Sequence, residues 1–397
     1  MTRKILLRAA ALLICAGAAF AQDYGLTLRS FPALDGGDGQ DRDIEYTGTA
    51  VPWFAAPLGE HGDMYLSGGM SAEYSEEEWE PVPELYRFEL SWQSGSGARL
   101  EAGRLSYREP LNLLLSGLFD GLALGFDAGK TRLSAGAFYT GLLYKRTAYI
   151  TISPGDYSAY YDKDVYFASR RLVFSLGWEI PSLLNTGAEL DLGVAGQLDL
   201  NNTDGKIHSQ YALAAFTLPF LNMNAELGGV LGIIEENSRD AGLCFALSAG
   251  LAWLPPGGPH DRLSLGAVFS SGARNDTVRA FLPINTIAQG KTLRPKLSGL
   301  ALAEGGYSAR ILSSLSAEIS AAYFFRTDSF TYNDPDLDGA SLSPLLGAEI
   351  YGGLTWAPVS DISFTLGGGA FFPRSGRAFA EDAPLRWRVS LETILSF

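Results

Sequence analysis

The segment Asn333-Asp334-Pro335-Asp336-Leu337-Asp338-Gly339 carries the best cation-binding pattern in the chain. Three carboxylates at alternate positions ahead of a turn-permitting glycine suit a hard ion such as Ca²⁺. Asp334, Asp336 and Asp338 are therefore candidate metal ligands in an external loop. A complete loop of this kind wants a bidentate Glu twelve positions along, where this chain has Leu345. The alternative is an acidic loop that holds no metal; no other cofactor is expected. A second acidic run, Glu76-Glu77-Glu78-Trp79-Glu80, reads as a solvated external loop able to attract cations or to bridge anionic headgroups through divalent ions.

Nothing in the sequence assembles a catalytic site, and the chain is read as a non-enzyme. The three histidines, His61, His208 and His260, fall in separate predicted turns, with His208 on the external side. No G-x-S-x-G, H-E-x-x-H or phosphate loop is present.

The elements that would position these residues are strands. Ala188, Leu190, Leu192, Val194 and Leu198 alternate with Glu189, Asp191, Gln197 and Asp199. Successive strand residues face opposite sides, so this segment has one apolar and one acidic face. The pattern recurs over 84–92 and 314–326. These runs span about 10–13 residues, beyond the ordinary soluble strand of about 5–6 and close to the 9–11 of a tilted membrane strand. Aromatic residues such as Trp253, Trp356 and Phe372 stand near strand ends, where interfacial girdles form. Short connections (94–97, 128–130, 221–222, 358–361) alternate with long ones (142–164, 273–294, 327–344), as periplasmic turns alternate with external loops. The sequence thus predicts an all-β fold: a transmembrane antiparallel β-barrel of about 18 strands, with 16 as the runner-up. The first two strands are expected near 24–30 and 44–56.

The inner face of such a barrel decides what passes. Alternation assigns to it Arg87, Glu89, Arg99, Glu101, Arg171, Glu189, Asp191, Asp199, Glu226, Glu318, Arg326, Glu349, Arg386 and Arg388, with Glu179, Arg262 and Glu392 beside them. Acids lead this set, so a mild preference for cations or neutral solutes is expected. Arg386 and Arg388, both on the closing strand, form the arginine cluster expected to oppose it. The tyrosine-rich stretch 142–164 has two readings, a constriction folded inward or a packed external lid.

Composition narrows the partners. The chain has 44 acidic and 30 basic residues, a net charge of −14, which excludes the clustered basic surface of nucleic-acid binding. Arg3, Lys4 and Arg8 precede an apolar stretch and Ala19-Phe20-Ala21, the order of a secretory signal peptide cleaved after Ala21. Cleavage removes three positive charges and no acid, leaving −17. It also leaves Cys244 alone, so no intrachain disulfide can form. Residues 22–397 are then one barrel domain in the outer membrane of a diderm bacterium, in contact with outer-membrane lipid.

Two resemblances extend this reading. The final strand alternates Leu385, Trp387, Val389, Leu391, Thr393, Leu395 and Phe397 with polar residues. A terminal Phe397 closing an amphipathic strand resembles the signal read by the β-barrel assembly machinery, which implies that machinery as a partner. Gly103-Arg104 and Phe119-Asp120-Gly121 resemble a motif of the alginate-export porin family, where Gly-Arg ends one strand and Phe-Asp-Gly opens the next. That resemblance implies an 18-stranded barrel with a basic polyanion pathway. The inward set here is mixed, so the predicted function is passive or weakly selective passage of small hydrophilic solutes. The alternative is a surface adhesin or structural protein acting through its external loops.

Overall fold

The computed structural model describes residues 22–37, 42–75, 78–183, 186–201, 205–237, 239–257, 260–274, 277–285 and 288–397. The predicted leader, 1–21, lies outside the described residues, as do Glu76 and Glu77.

Eighteen strands follow one another along the chain. They are β1 (Asp23–Gly37), β2 (Asp43–Leu58), β3 (Gly62–Ser75), β4 (Glu78–Gln93), β5 (Ala98–Arg108) and β6 (Ser116–Ala128). Next come β7 (Thr131–Tyr139), β8 (Arg171–Leu183), β9 (Ala188–Asp199), β10 (Ile207–Phe220), β11 (Met223–Glu236) and β12 (Arg239–Trp253). The last six are β13 (Arg262–Ser270), β14 (Leu300–Leu312), β15 (Leu315–Arg326), β16 (Leu345–Val359), β17 (Ile362–Phe372) and β18 (Arg386–Ser396). Each pairs antiparallel with its chain neighbours, and β1 pairs with β18, so the sheet closes into a barrel. Closure removes the free edges that an open sheet would present. Among the described residues no helix is long and apolar enough to cross a membrane.

The two ends of the barrel differ. Links at one end, including β4–β5, β6–β7 and β10–β11, run to between two and eight residues. The other end carries the long segments 109–115, 140–170, 271–299, 327–344 and 373–385. The start of β1 and the C-terminal Phe397 lie at the short-link end, where Phe397 and Leu26 exchange backbone hydrogen bonds of 3.0 and 3.1 Å. Two expectations differ from this arrangement. His208 stands in β10 rather than in a loop, because its strand continues the ladder to Ile207. Glu78, Trp79 and Glu80 belong to β4, since β3 and β4 stay paired up to Ser75–Glu78.

The sheet's outer face is an apolar belt. Leu124, Leu176, Leu227, Leu231, Leu265 and Ile319 all stand exposed there. The buried core lies inside the barrel instead. Phe119, Phe138, Val173, Tyr211 and Cys244 on the inner wall pack against Leu113, Leu114, Phe281, Ile284 and Leu297 from the long segments. The molecule therefore buries apolar area mainly by folding its loops into its own lumen.

Candidate functional site

Three of the segments that enter the lumen are each held by a charged group. The first, 109–115, is short enough to be tied by one side chain. The Glu109 carboxylate accepts from the backbone N–H of Leu111 (2.5 Å), Leu113 and Leu114 (2.9 Å). From there Leu111 reaches across to Gly228 of β11.

The second segment, 271–299, crosses behind it. Ile284 N–H donates to the Leu114 carbonyl (2.9 Å), and Ser116 N–H donates to Asn285 Oδ1 (3.0 Å). The far part of the segment meets Glu349 on β16, which accepts from Lys291, Thr292 and Leu293 N–H at 2.6, 2.9 and 2.8 Å. A buried carboxylate satisfied by three backbone donors is a strong, charge-assisted anchor.

The third segment, 140–170, carries a helix, Pro154–Tyr161. Ser153 caps it: Ser153 Oγ accepts from Asp156 N–H (3.1 Å) while Asp156 Oδ2 accepts from Ser153 N–H (2.8 Å). The same Asp156 carboxylate meets Arg171 of β8 at 2.5 Å, and Arg171 also lies 3.2 Å from Asp199 of β9. The side chains of all three are at most 1% exposed. Thus 140–170 turns inward rather than forming an external lid. It touches the second segment where Lys296 Nζ donates to Thr151 Oγ1 (2.7 Å) and lies 5.1 Å from the Tyr157 ring. Burial pushes the Lys296 ammonium below its ordinary range.

Strand register places Arg87, Glu89, Arg99, Glu101, Arg171, Glu189, Asp191, Asp199, Glu226, Glu318, Arg326, Glu349, Arg386 and Arg388 on the inner wall, opposite the exposed outward leucines. The loops divide this set. Arg171, Asp199, Arg326 and Glu349 are buried at loop contacts, with Arg326 donating to the Ser343 carbonyl at 2.8 Å, so they do not face open lumen. Arg386 and Arg388 do not form a free basic cluster either. Arg388 pairs with Asp35 and Glu45, and Arg386 with Asp334 and Asp336. Arg87 pairs with Glu89. Arg99, Glu101, Glu189, Asp191, Glu226 and Glu318 form no ion pair among the described residues.

The candidate metal ligands converge on a protein cation instead. Arg386 lies 2.6 Å from both Asp334 and Asp336. Asp338 is spent on the loop itself, accepting from Ala340 N–H at 2.9 Å. Burial works to raise the Asp334 carboxyl, but the hydrogen bonds and charge of Arg386 outweigh it and hold it below the usual range. Among the described residues no group of three His, Cys, Asp or Glu is placed to hold a metal ion.

The far part of segment 271–299 lies against β16 and β17, where Glu349 and Gly369 meet residues 291–293. The side chains of Lys291 and Arg294 on this part are exposed. Lys291 Nζ stands 5.8 Å from the Tyr351 ring. Neither residue forms an ion pair among the described residues. Sequence reasoning missed both, together with Glu109, Asp156, Asp35 and Glu45. One signal was present: Ser153-Pro154-Gly155-Asp156 is a helix-capping pattern and marks a structured segment.

The Gly-Arg and Phe-Asp-Gly segments do meet across β5–β6. Arg104 binds Asp120 through two hydrogen bonds of 2.8 and 2.9 Å, and Gly103 pairs with Gly121. Gly103 has φ +115°, and a Cβ there would collide with the Phe88 carbonyl, so glycine is required.

The chain is thus a closed eighteen-stranded antiparallel barrel with a loop-narrowed lumen. Solved structures share that architecture. Pseudomonas aeruginosa OpdK with vanillate superposes with a TM-score of 0.64 at 12% identity, covering 96% of this chain and 100% of that one. Pseudomonas aeruginosa OccK2 (OpdF) in complex with glucuronate gives 0.62 at 14%, covering 95% and 97%. The outer membrane protein OpdK of the same organism gives 0.59 at 11%, covering 94% and 99%. At these identities the likeness is one of fold. No family model and no curated protein matches the chain, and the alginate-export resemblance finds no support among the neighbours.

Proposed function

We propose that the chain is an outer-membrane pore for small hydrophilic solutes, and that anionic solutes pass its narrowing best. The observation that carries this is the pair Lys291 and Arg294, exposed on a segment that Glu349 holds inside the lumen. The apolar outer belt suits a bilayer, and full closure satisfies the backbone within it. Cleavage after Ala21, residence in the outer membrane and insertion by the barrel-assembly machinery through Phe397, which is 72% exposed at the closing seam, belong to the same reading. Two of the structural neighbours hold carboxylates, vanillate and glucuronate.

The wall residues alone favour cations, but the loops carry cations inward, and acids such as Glu349 and Asp199 are buried as anchors. Charges at the narrowest point govern selectivity more than those dispersed elsewhere.

Reversal potential across a salt gradient tests the proposal on refolded protein in planar bilayers. Anion preference is expected, and it should fall at high salt as the charges are screened. The double variant Lys291→Gln, Arg294→Gln should reverse it toward cations. Cation preference in the unaltered protein would reject the selectivity, and absence of conductance would reject the pore.

A further inference from the structure

Below segment 109–115, on the short-link side, lies a chamber of about 370 Å³ whose chemistry is opposite to that of the narrowing. Its roof is apolar: Pro110, Leu111 and Leu113. Its floor includes a circumferential row across four strands, in which Glu226 pairs with Gly250, Gly250 with Gly266, and Gly266 with Glu304, and Asp191 of β9 lines the chamber beside that row. Neighbouring strands lie about 4.8 Å apart, so the two glutamates are separated by about 14 Å at their Cα atoms. No side chain stands between them. Glu304 leans over the first glycine, with Oε1 3.1 Å from where a Gly266 Cβ would sit. Glu226 Oε2 stands 3.8 Å from the corresponding position at Gly250. The glycines thus leave a cradle flanked by two carboxylates and capped by leucines.

Both glutamates are exposed, and neither has an ion-pair partner among the described residues. Glu226 accepts one hydrogen bond, from Asn224 Nδ2 at 2.9 Å. Arg262 also lines the chamber, but it lies four residues along β13 from Gly266, about 13 Å nearer the barrel mouth at about 3.3 Å per residue. A carboxylate accepts hydrogen bonds only, so two of them call for a multivalent donor. An ammonium offers three N–H donors and a positive charge. The apolar roof calls for a hydrocarbon body on the same ligand, and the volume falls within the range of small-molecule sites.

We infer that this chamber binds an organic cation: a primary ammonium carried on a short apolar body, with the nitrogen between Glu226 and Glu304 and the body under Leu111 and Leu113. The site stands apart from the narrowing at Lys291 and Arg294 and adds a second class of ligand to the lumen.

Calorimetric titration of the micelle-refolded barrel with phenethylammonium tests it. Saturable binding is expected, weakened at least tenfold by Glu226→Gln or Glu304→Gln and unchanged by Glu318→Gln, an inward carboxylate that also stands over a glycine, Gly353, but outside the chamber. Leu111→Ser should weaken phenethylammonium while leaving ethylammonium unaffected. Gly250→Ala offers an independent route. Its added methyl meets only ordinary contacts, so the barrel should fold with its cradle partly filled, and affinity should fall. Absence of saturable heat, unchanged affinity in the Glu226→Gln, Glu304→Gln double variant, or equal affinity for phenylacetate would overturn the inference. No transmembrane potential is involved, so a silent bilayer would remove the pore reading and leave this site standing.

Discussion

The barrel's ladder is interrupted near the long-loop end in two places, and the two gaps are closed by different means. At β12, pairing with β13 stops at Ala246–Ser270. Above it, segment 271–299 continues the sheet with backbone: Leu243 N–H donates to the Thr277 carbonyl (2.8 Å) and Arg279 N–H to the Leu243 carbonyl (2.8 Å). At β4, pairing with β5 stops at Phe88–Arg104. There the free edge meets side chains from segment 140–170 and β5. Thr147 Oγ1 donates to Glu84 Oε2 (2.9 Å), the Tyr166 hydroxyl to the Pro83 carbonyl, and Arg104 Nη1 to the Leu85 carbonyl (2.5 Å). Pro81 and Pro83 explain part of the contrast. They carry no N–H, so this edge of β4 has fewer donors for a backbone partner to satisfy. Backbone closure needs a partner of fixed register. Side-chain closure needs only a few well-placed groups, and it makes segment 140–170 depend on its deeper anchor.

That dependence predicts the largest effect. Arg171→Ala would leave Asp156 and Asp199 buried without their cation, a loss of about 3–5 kcal/mol. Segment 140–170 should be released, since little backbone pairing holds it at β4. The expected outcome is a lowered Tm with new proteolytic cuts between Tyr139 and Arg171. An unchanged digestion pattern would show that the β4 contacts suffice alone.

A smaller effect is expected at the other gap. Glu349→Ala removes the acceptor of three backbone donors, but residues 291–293 are not buried and water can replace it, so the net loss should be about 1–3 kcal/mol. The backbone pairing at β12 should survive. Only the part of 271–299 carrying Lys291 and Arg294 should loosen, with trypsin cutting there and conductance rising. Cuts near Thr277 as well would mean that the whole segment depends on Glu349, erasing the contrast with 140–170.

The contrast also marks what the sequence could disclose. The strand count, the alternation of short and long links and the inward face of β9 were legible because a strand's period of two writes its orientation into every residue. Glu78–Glu80 misled because an acidic run is as compatible with a rim strand as with a loop. The roles of Arg171, Glu349 and Arg386 were out of reach. Each is fixed by a partner far along the chain or by backbone N–H groups: Arg386 by Asp334, and Glu349 by residues 291–293. Alternation says which way a side chain points and not what a returning loop brings to it. The chamber-floor row Glu226–Gly250–Gly266–Glu304 was hidden for the same reason, since it exists only across four strands in register.

The finest test removes single side-chain contacts at the β4 gap. Thr147→Val and Tyr166→Phe keep shape while deleting one donor each. A neutral hydrogen bond contributes about 1 kcal/mol net, and the bond from Thr147 has a charged acceptor, so its loss should exceed that of Tyr166. Glu84 is 8% exposed, so removing its Thr147 donor leaves a largely buried carboxylate short of a partner. Pro83 retains a carbonyl that water can reach at the rim, because Tyr166 bonds it from the exposed side. A double variant should lose close to the sum of the two, provided that the contacts act independently. A loss well above the sum would mean that the two side chains close the gap as one unit. Side-chain closure would then be as cooperative as the backbone closure at β12, and the difference between the two gaps would lie in chemistry alone. Chemical denaturation of the micelle-refolded single and double variants, with Arg171 intact, measures it.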